Sequence, residues 1–220
     1  MNELHAMYYR ELGLISWQQR DKPIAAQIKP TEAAASNDAL TALREKVAAC
    51  TACDLHQSRT QTVFGVGNPS AKIMFIGEAP GLNEDQQGEP FVGRAGQLLT
   101  SMLKSIGIER EEVFIANILK CRPPNNRDPL PDEVKTCTAF LDQQISLIQP
   151  ALLVALGRIA AHHLLQTKAS LESLRNKIHY YGAEKIPLIA TYHPAYLLRS
   201  PSDKKKAFID LQQIKQKNNC

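Results

Sequence analysis

Four short, nearly continuous apolar runs punctuate the chain: KIMFIG at 72–77, VFIANIL at 113–119, ALLVAL at 151–156 and IPLIAT at Ile186–Thr191. Between them apolar residues recur at helical spacing, in RAGQLLTSMLKSIGI after Arg94, over Pro131–Ile148 and over Arg158–Leu165, and a lysine-bearing amphipathic segment over 203–215 follows the last run. Apolar strands alternating with helices predict an α/β fold whose mostly parallel sheet is covered on both faces. In such open sheets ligands bind outside the carboxyl ends of the strands. Three polar features fall on that rim: GEAPG after the first run, Asn117 to Cys121 after the second, and HPAYLLR after the fourth.

The amino-terminal part reads differently. Residues 1–20 can form a short helix bearing Tyr8, Tyr9, Leu12, Leu14, Ile15 and Trp17, and residues 21–40 are polar, Ala-rich and Pro-punctuated, as expected of a linker. From Asp38 the pattern predicts an N-capped helix running into Cys50. The expected organisation is therefore a leading segment, 1–40, followed by one catalytic unit, 41–220; a chain of 220 residues with 44% hydrophobic content is long enough to bury one sizeable core.

Composition narrows the class of protein. No run of eighteen apolar residues occurs, and the start lacks the pattern of a secretory signal, so a soluble cytoplasmic protein without a membrane partner is expected. The net charge of +4 is compatible with a polyanionic partner but does not by itself indicate one.

Five cysteines in a reducing compartment read more readily as metal or cluster ligands than as disulfides. Cys50 and Cys53 form a CxxC pair, while Cys121 and Cys137 are separated by fifteen residues. Four thiolates suit either zinc or an iron–sulfur cluster. The long second spacing is unlike paired zinc knuckles and favours a cluster. Cys121 and Cys137 could instead be small core residues, a reading that the CxxC pair weakens for the group. Cys220 has no partner at ligand spacing and reads as a bystander.

Each rim feature has a bland reading beside a chemical one. GEAPG can be an ordinary βα turn, or a place where loop amides approach a ligand while Glu78 points into the same space. Phe91 in FVGRAG can be a core staple before a helix, or a ring that stacks on a flat ligand. Asn117 interrupts an apolar strand, where an amide is costly without a partner. Its paired donor and acceptor match O4 and N3–H of uracil and mismatch cytosine, which reverses both groups. His193, held before a proline, is a candidate electrostatic partner. Tyr196, Leu197, Leu198 and Arg199 would form an exposed apolar and cationic loop, of the kind that wedges into a duplex and holds out an extruded base, or else a buried leucine pair.

Taken together, CxxC, GEAPGxxED, FVGRAG, NxxxCRPP, the fifteen-residue cysteine gap and HPAYLLR resemble the family 4, iron–sulfur uracil-DNA glycosylases over about residues 41–200. The resemblance implies a three-layer α-β-α fold with a central four-stranded parallel sheet, and a structural [4Fe–4S] cluster on Cys50, Cys53, Cys121 and Cys137. It implies that Gly77, Glu78 and Ala79 hold uracil and the attacking water, that Phe91 stacks on the ring, Asn117 reads its edge and His193 faces O2. Related families with the motif GQDPY carry an aspartate where this chain has Ala79, so Glu78, rather than Glu84 or Asp85, is expected to position water or balance charge. Glu78 and His193 are then the catalytic pair, with Leu197, Leu198 and Arg199 on the DNA.

The expected activity is hydrolysis of the uracil N-glycosidic bond in single- or double-stranded DNA by a monomer, starting base excision repair, without lyase chemistry. Residues 1–40 could dock replication or repair proteins. The rival readings are a relative that holds uracil-DNA and turns over poorly, for which no added basic loop follows FVGRAG, and a module that only binds nucleic acid.

Overall fold

The computed structural model describes residues 32–218. The helix expected over residues 1–20, the first part of the linker and Cys220 lie outside that range. The first described helix, α1, spans Glu32–Ala48, and α2 spans Leu55–Ser58. Residues 32–40 of the expected linker are therefore helical, and Asp38 is an exposed position inside α1 rather than its cap. Ala33, Ala34 and Ala35 explain the earlier start, since alanine is the best helix former.

The strands β1 (Val66–Gly67), β2 (Ile73–Gly77), β3 (Phe114–Asn117), β4 (Leu152–Leu156), β5 (His179–Tyr181) and β6 (Ile186–Thr191) form one sheet in the order β1-β3-β2-β4-β6-β5. The four expected strands are its parallel centre. The sheet has six strands rather than four, because β1 and β5 add antiparallel edges. Neither edge carries the long apolar run of a buried strand: β1 is two residues, and β5 reads HYY.

Alternation along the central strands divides the core into two faces. Met74, Ile76, Leu153, Ala155, Leu188 and Ala190 point to one side, against α1, α5 (Pro131–Ile148) and α6 (Arg158–Leu165). Ile73, Phe75, Val154 and Ile189 point to the other, against α4 (Arg94–Ser105) and α9 (Lys204–Asn218). This is the three-layer arrangement that the apolar runs required. The remaining short helices are α3 (Leu82–Gln87), α7 (Leu171–Leu174) and α8 (Pro194–Arg199). Among the described residues no helix is long and apolar enough to cross a membrane.

From β2 the chain crosses outward to β3, whereas β4 leads to β6 on the opposite side. The switch point of the sheet thus lies between β2 and β4, where open α/β sheets leave a crevice beyond the strand ends. Gly77 and Asn117 close the β2–β3 ladder opposite each other, and Leu156 pairs with Thr191 at the end of β4–β6.

Candidate active site and cysteine cluster

A cavity of about 440 Å³ opens at this switch point. Glu78 and Ala79 reach it from the turn after β2, Phe91 from the loop before α4, Asn117 from the end of β3, and His193 and Arg199 from the two ends of α8. Gly77 lies behind the lining rather than in it: a Cβ there would stand 2.3 Å from Asn117 Oδ1 and 2.7 Å from Phe91 Cζ, so only glycine leaves the two side chains their space.

Asn117 is 2% exposed, and its Oδ1 has no hydrogen-bond partner among the described residues. An amide oxygen buried without a donor costs about 1–3 kcal/mol. The cavity lining therefore includes an acceptor that the described residues leave unsatisfied.

Phe91 is buried, with φ of +54°, in the left-handed region that a bulky residue rarely enters. Three hydrogen bonds hold its loop there. Glu84 Oε1 accepts from the amides of Val92 at 3.0 Å and Gly93 at 3.1 Å, and Arg110 Nη2 donates to the carbonyl of Pro90 at 2.7 Å. A side chain at Gly96 would run into the Phe91 carbonyl, at 1.7 Å, so that glycine lets the loop close onto α4.

His193 caps α8, its Nδ1 accepting from the amide of Ala195 at 3.1 Å. With Nδ1 an acceptor, the neutral ring carries its proton on Nε2 as a donor. Burial, reinforced by the Arg199 cation and opposed by Glu84, pushes the imidazole down to about 4. Its ring centroid lies 5.5 Å from that of Phe91, tilted by 34°.

The three acids of the GEAPGxxED motif have separate employments. Asp85 is buried and accepts from the Thr60 amide with both oxygens, at 3.0 and 3.1 Å. Glu84 clamps the Phe91 loop and also accepts from Gly81 N at 3.2 Å. The Glu78 carboxylate makes no hydrogen bond to a described residue; burial, then the negative charge of Asp128, opposed by Arg158, push it up to about 7.

The HPAYLLR segment corrects an expectation. It is a helix rather than a loop, started by Pro194 at its first position and the His193 cap. Leu197 is 1% exposed and packs in the core with Val154 and Leu211, so it is not available as a wedge. Leu198 is partly buried and Arg199 exposed.

The sequence reading missed the far wall. Asn126, Arg127 and Asp128 line the cavity, on a turn fixed where Arg127 grips Glu133 through both guanidinium nitrogens, at 2.9 and 2.5 Å. Two prolines followed by NNRD after Cys121 are the signal that could have pointed there.

Away from this cavity, Cys50, Cys53, Cys121 and Cys137 line one small pocket. Cys121 Sγ accepts from Arg59 Nη1 at 3.1 Å, and Cys137 Sγ from the Lys120 amide at 3.3 Å. Burial nevertheless pushes both thiols up, Cys137 to about 11. Among the described residues no group of three or more His, Cys, Asp or Glu side chains is spaced to hold one metal ion.

Fold and site together define an open α/β protein with a cavity at the carboxyl ends of its strands, lined by Phe91, Asn117 and His193. The model of the uracil DNA glycosylase superfamily matches residues 64–212. The type-4 uracil-DNA glycosylase of Sulfurisphaera tokodaii is 45% identical over 186 residues, 81% of this chain and 84% of that protein. That of Thermotoga maritima is 47% identical over 175 residues, covering 78% and 90%. The type-5 enzyme of Thermus thermophilus is more distant, at 31% over 149 residues, 60% of this chain and 68% of that one. The chain belongs to the uracil-DNA glycosylase superfamily, and within it to the type-4 family.

Proposed function

We propose that this chain is a uracil-DNA glycosylase that takes deoxyuridine out of the DNA stack and hydrolyses its N-glycosidic bond, leaving an abasic site for base excision repair. The observation that carries this reading is the unsatisfied carboxamide oxygen of Asn117 beneath Phe91. Uracil N3–H would donate to Oδ1 while Nδ2 donates to O4. Cytosine offers an acceptor and a donor in the opposite order, so it would leave buried groups unpaired, the mismatch that gives enzymes their strongest rejection.

Phe91 covers one face of the ring, and the neutral His193 donates from Nε2 to O2 as negative charge moves onto the leaving base. Preorganised donors at a developing anion are worth about 2.7–4 kcal/mol each. Glu78 in its ionised form balances the positive charge at C1′ and takes the proton of the attacking water, whose oxygen bonds to C1′ as the bond to N1 breaks. The lining of the cavity among the described residues holds no lysine, which supports hydrolysis without a covalent amine intermediate. Arg199, which lines the pocket, and Leu198 beside it in the last turn of α8 would meet the DNA.

The catalytic unit is assigned to residues 41–220, and Cys50, Cys53, Cys121 and Cys137 to a [4Fe–4S] cluster. Two buried thiols receiving N–H···S bonds fit such a group, because hydrogen bonds to sulfur stabilise the thiolates a cluster needs. Cys50, Cys53, Cys121 and Cys137 line one small pocket, so the four residues such a cluster would need come together at one place in the fold. Bound there, the cluster would tie the end of α1, the turn after it, the loop after β3 and helix α5 together covalently. The role is structural.

The test is protein purified without oxygen and incubated with an end-labelled oligonucleotide holding one uracil, then treated with alkali; thymine in the same position is the control. Cleavage confined to uracil and lost in Asn117→Ala is the expected result. A brown, folded, DNA-binding preparation without uracil-dependent cleavage would overturn the reading in favour of a binding module.

A further inference from the structure

Lys120 is 1% exposed, although it stands in a segment that otherwise serves the pocket and the cysteines. Burying an ammonium is costly unless its donors are matched. Here Nζ donates to the main-chain carbonyl of Asn117 at 2.7 Å and to Gln144 Oε1 at 2.6 Å. Gln144 in turn donates from Nε2 to the carbonyl of Phe64 at 2.8 Å. The amide of Lys120 itself donates to Cys137 Sγ at 3.3 Å. Cys137 and Gln144 both belong to α5, so this one residue joins that helix, at two places, to the peptide carrying Asn117.

The geometry supplies a reason. β3 ends at Asn117, so its carbonyl needs a donor from elsewhere, because a buried carbonyl left alone is destabilising. Beyond the strand, Ile118 N donates to Gly77 O at 3.0 Å and Leu119 N to Glu78 O at 3.0 Å, which fixes the peptides that follow. The Asn117 carbonyl takes the Lys120 ammonium as its side-chain donor. Turning that peptide would swing the side-chain amide with it.

We propose that Lys120 is a positioning residue for base recognition: by holding the Asn117 peptide against α5, it keeps the Asn117 carboxamide aimed into the pocket, and it ties the cysteine cluster to the base-reading strand. This rests on the glycosylase reading above. Losing a charged donor's bond to this carbonyl should cost roughly tenfold or more in recognition of the base.

The test compares binding of two oligonucleotides: one with 2′-fluoro-2′-deoxyuridine, which keeps the base but resists cleavage, and one with a tetrahydrofuran abasic analogue. Wild-type protein should bind the uracil-bearing DNA more tightly. Lys120→Met should lose about tenfold of that preference while its affinity for the abasic analogue and its iron–sulfur absorbance stay unchanged. Gln144→Met, which removes the second partner of Nζ, should lose preference in the same direction by less, and it decides the matter where Lys120→Met does not fold. Full uracil preference in a folded variant, or an equal loss on both oligonucleotides, would overturn the positioning role alone. Absence of uracil preference in the wild type would overturn the glycosylase reading, and this inference with it.

Discussion

Gly77 and Asn117 lie opposite each other in the β2–β3 register, so close that a Cβ on the glycine would clash with the Asn117 side-chain oxygen. The strand pairing that builds the sheet thus also builds the pocket floor. Its last rung carries no side chain on one strand and an unpaired amide oxygen on the other. That oxygen adds no hydrogen bond to the free protein among the described residues, which is the mark of a binding group whose partner is the ligand.

Asn117→Leu should therefore separate stability from activity. The substitution keeps the shape, removes a buried unsatisfied oxygen and leaves no new cavity, so the melting temperature should hold or rise. Uracil excision should fall by about 10²–10³-fold, the scale of losing one oriented transition-state partner. Thermal unfolding and single-turnover excision on the same sample check both halves.

Glu84 should matter for loop geometry rather than for chemistry. Glu84→Ala frees the Val92 and Gly93 amides and lets Phe91 leave its left-handed conformation. A loss of about 1–3 kcal/mol in stability and a raised KM are expected. Glu84→Gln keeps an acceptor oxygen and should recover most of both, as urea unfolding and steady-state kinetics would measure.

Legibility in the sequence followed burial. β2, β4 and β6, with α5 and α6, were readable because strands covered on both faces are continuously apolar and helices carry a regular stripe. β1 and β5 escaped because edge strands need no such pattern. Asn117 stood out as a polar break in an apolar run, and Glu78, Phe91 and His193 by motif. Arg127, Asp128 and Lys120 were silent, since a charged residue outside any periodic segment looks solvated until the fold supplies its partners. Leu197 failed for a related reason: in LLR one leucine faces the core and the next does not, and helical phase, set by the His193 cap, decides which.

That phase yields a paired prediction. Leu197→Ala should destabilise the protein by about 2–5 kcal/mol, as expected for truncating a core leucine. Leu198→Ala and Arg199→Ala should leave unfolding almost unchanged and weaken binding to uracil-bearing DNA, with the Arg199 variant also flattening the salt dependence. Equal destabilisation by the two leucine variants would show that the helix is not phased as described.

The acid–base behaviour should differ from that of an enzyme with an ordinary histidine. With Glu78 raised to about 7, its ionised form grows as pH passes neutrality, so kcat/KM should climb through a midpoint near 7. Asp128→Asn removes a charge that raises that midpoint and should move it down, whereas Arg158→Ala should move it up. His193, lowered to about 4, is already neutral across this range, so no limb near 6.5 should belong to it. Stability carries the same two groups with opposite signs. The Glu78 contribution is fully present below its unfolded value of 4.5 and is lost as pH rises through about 7. The His193 contribution is fully present above its unfolded 6.5 and is lost as pH falls through about 4. Glu78→Gln should therefore leave stability rising with pH between about 4 and 6.5, and His193→Asn should leave it falling between 4.5 and about 7, when each variant is unfolded in urea across that range.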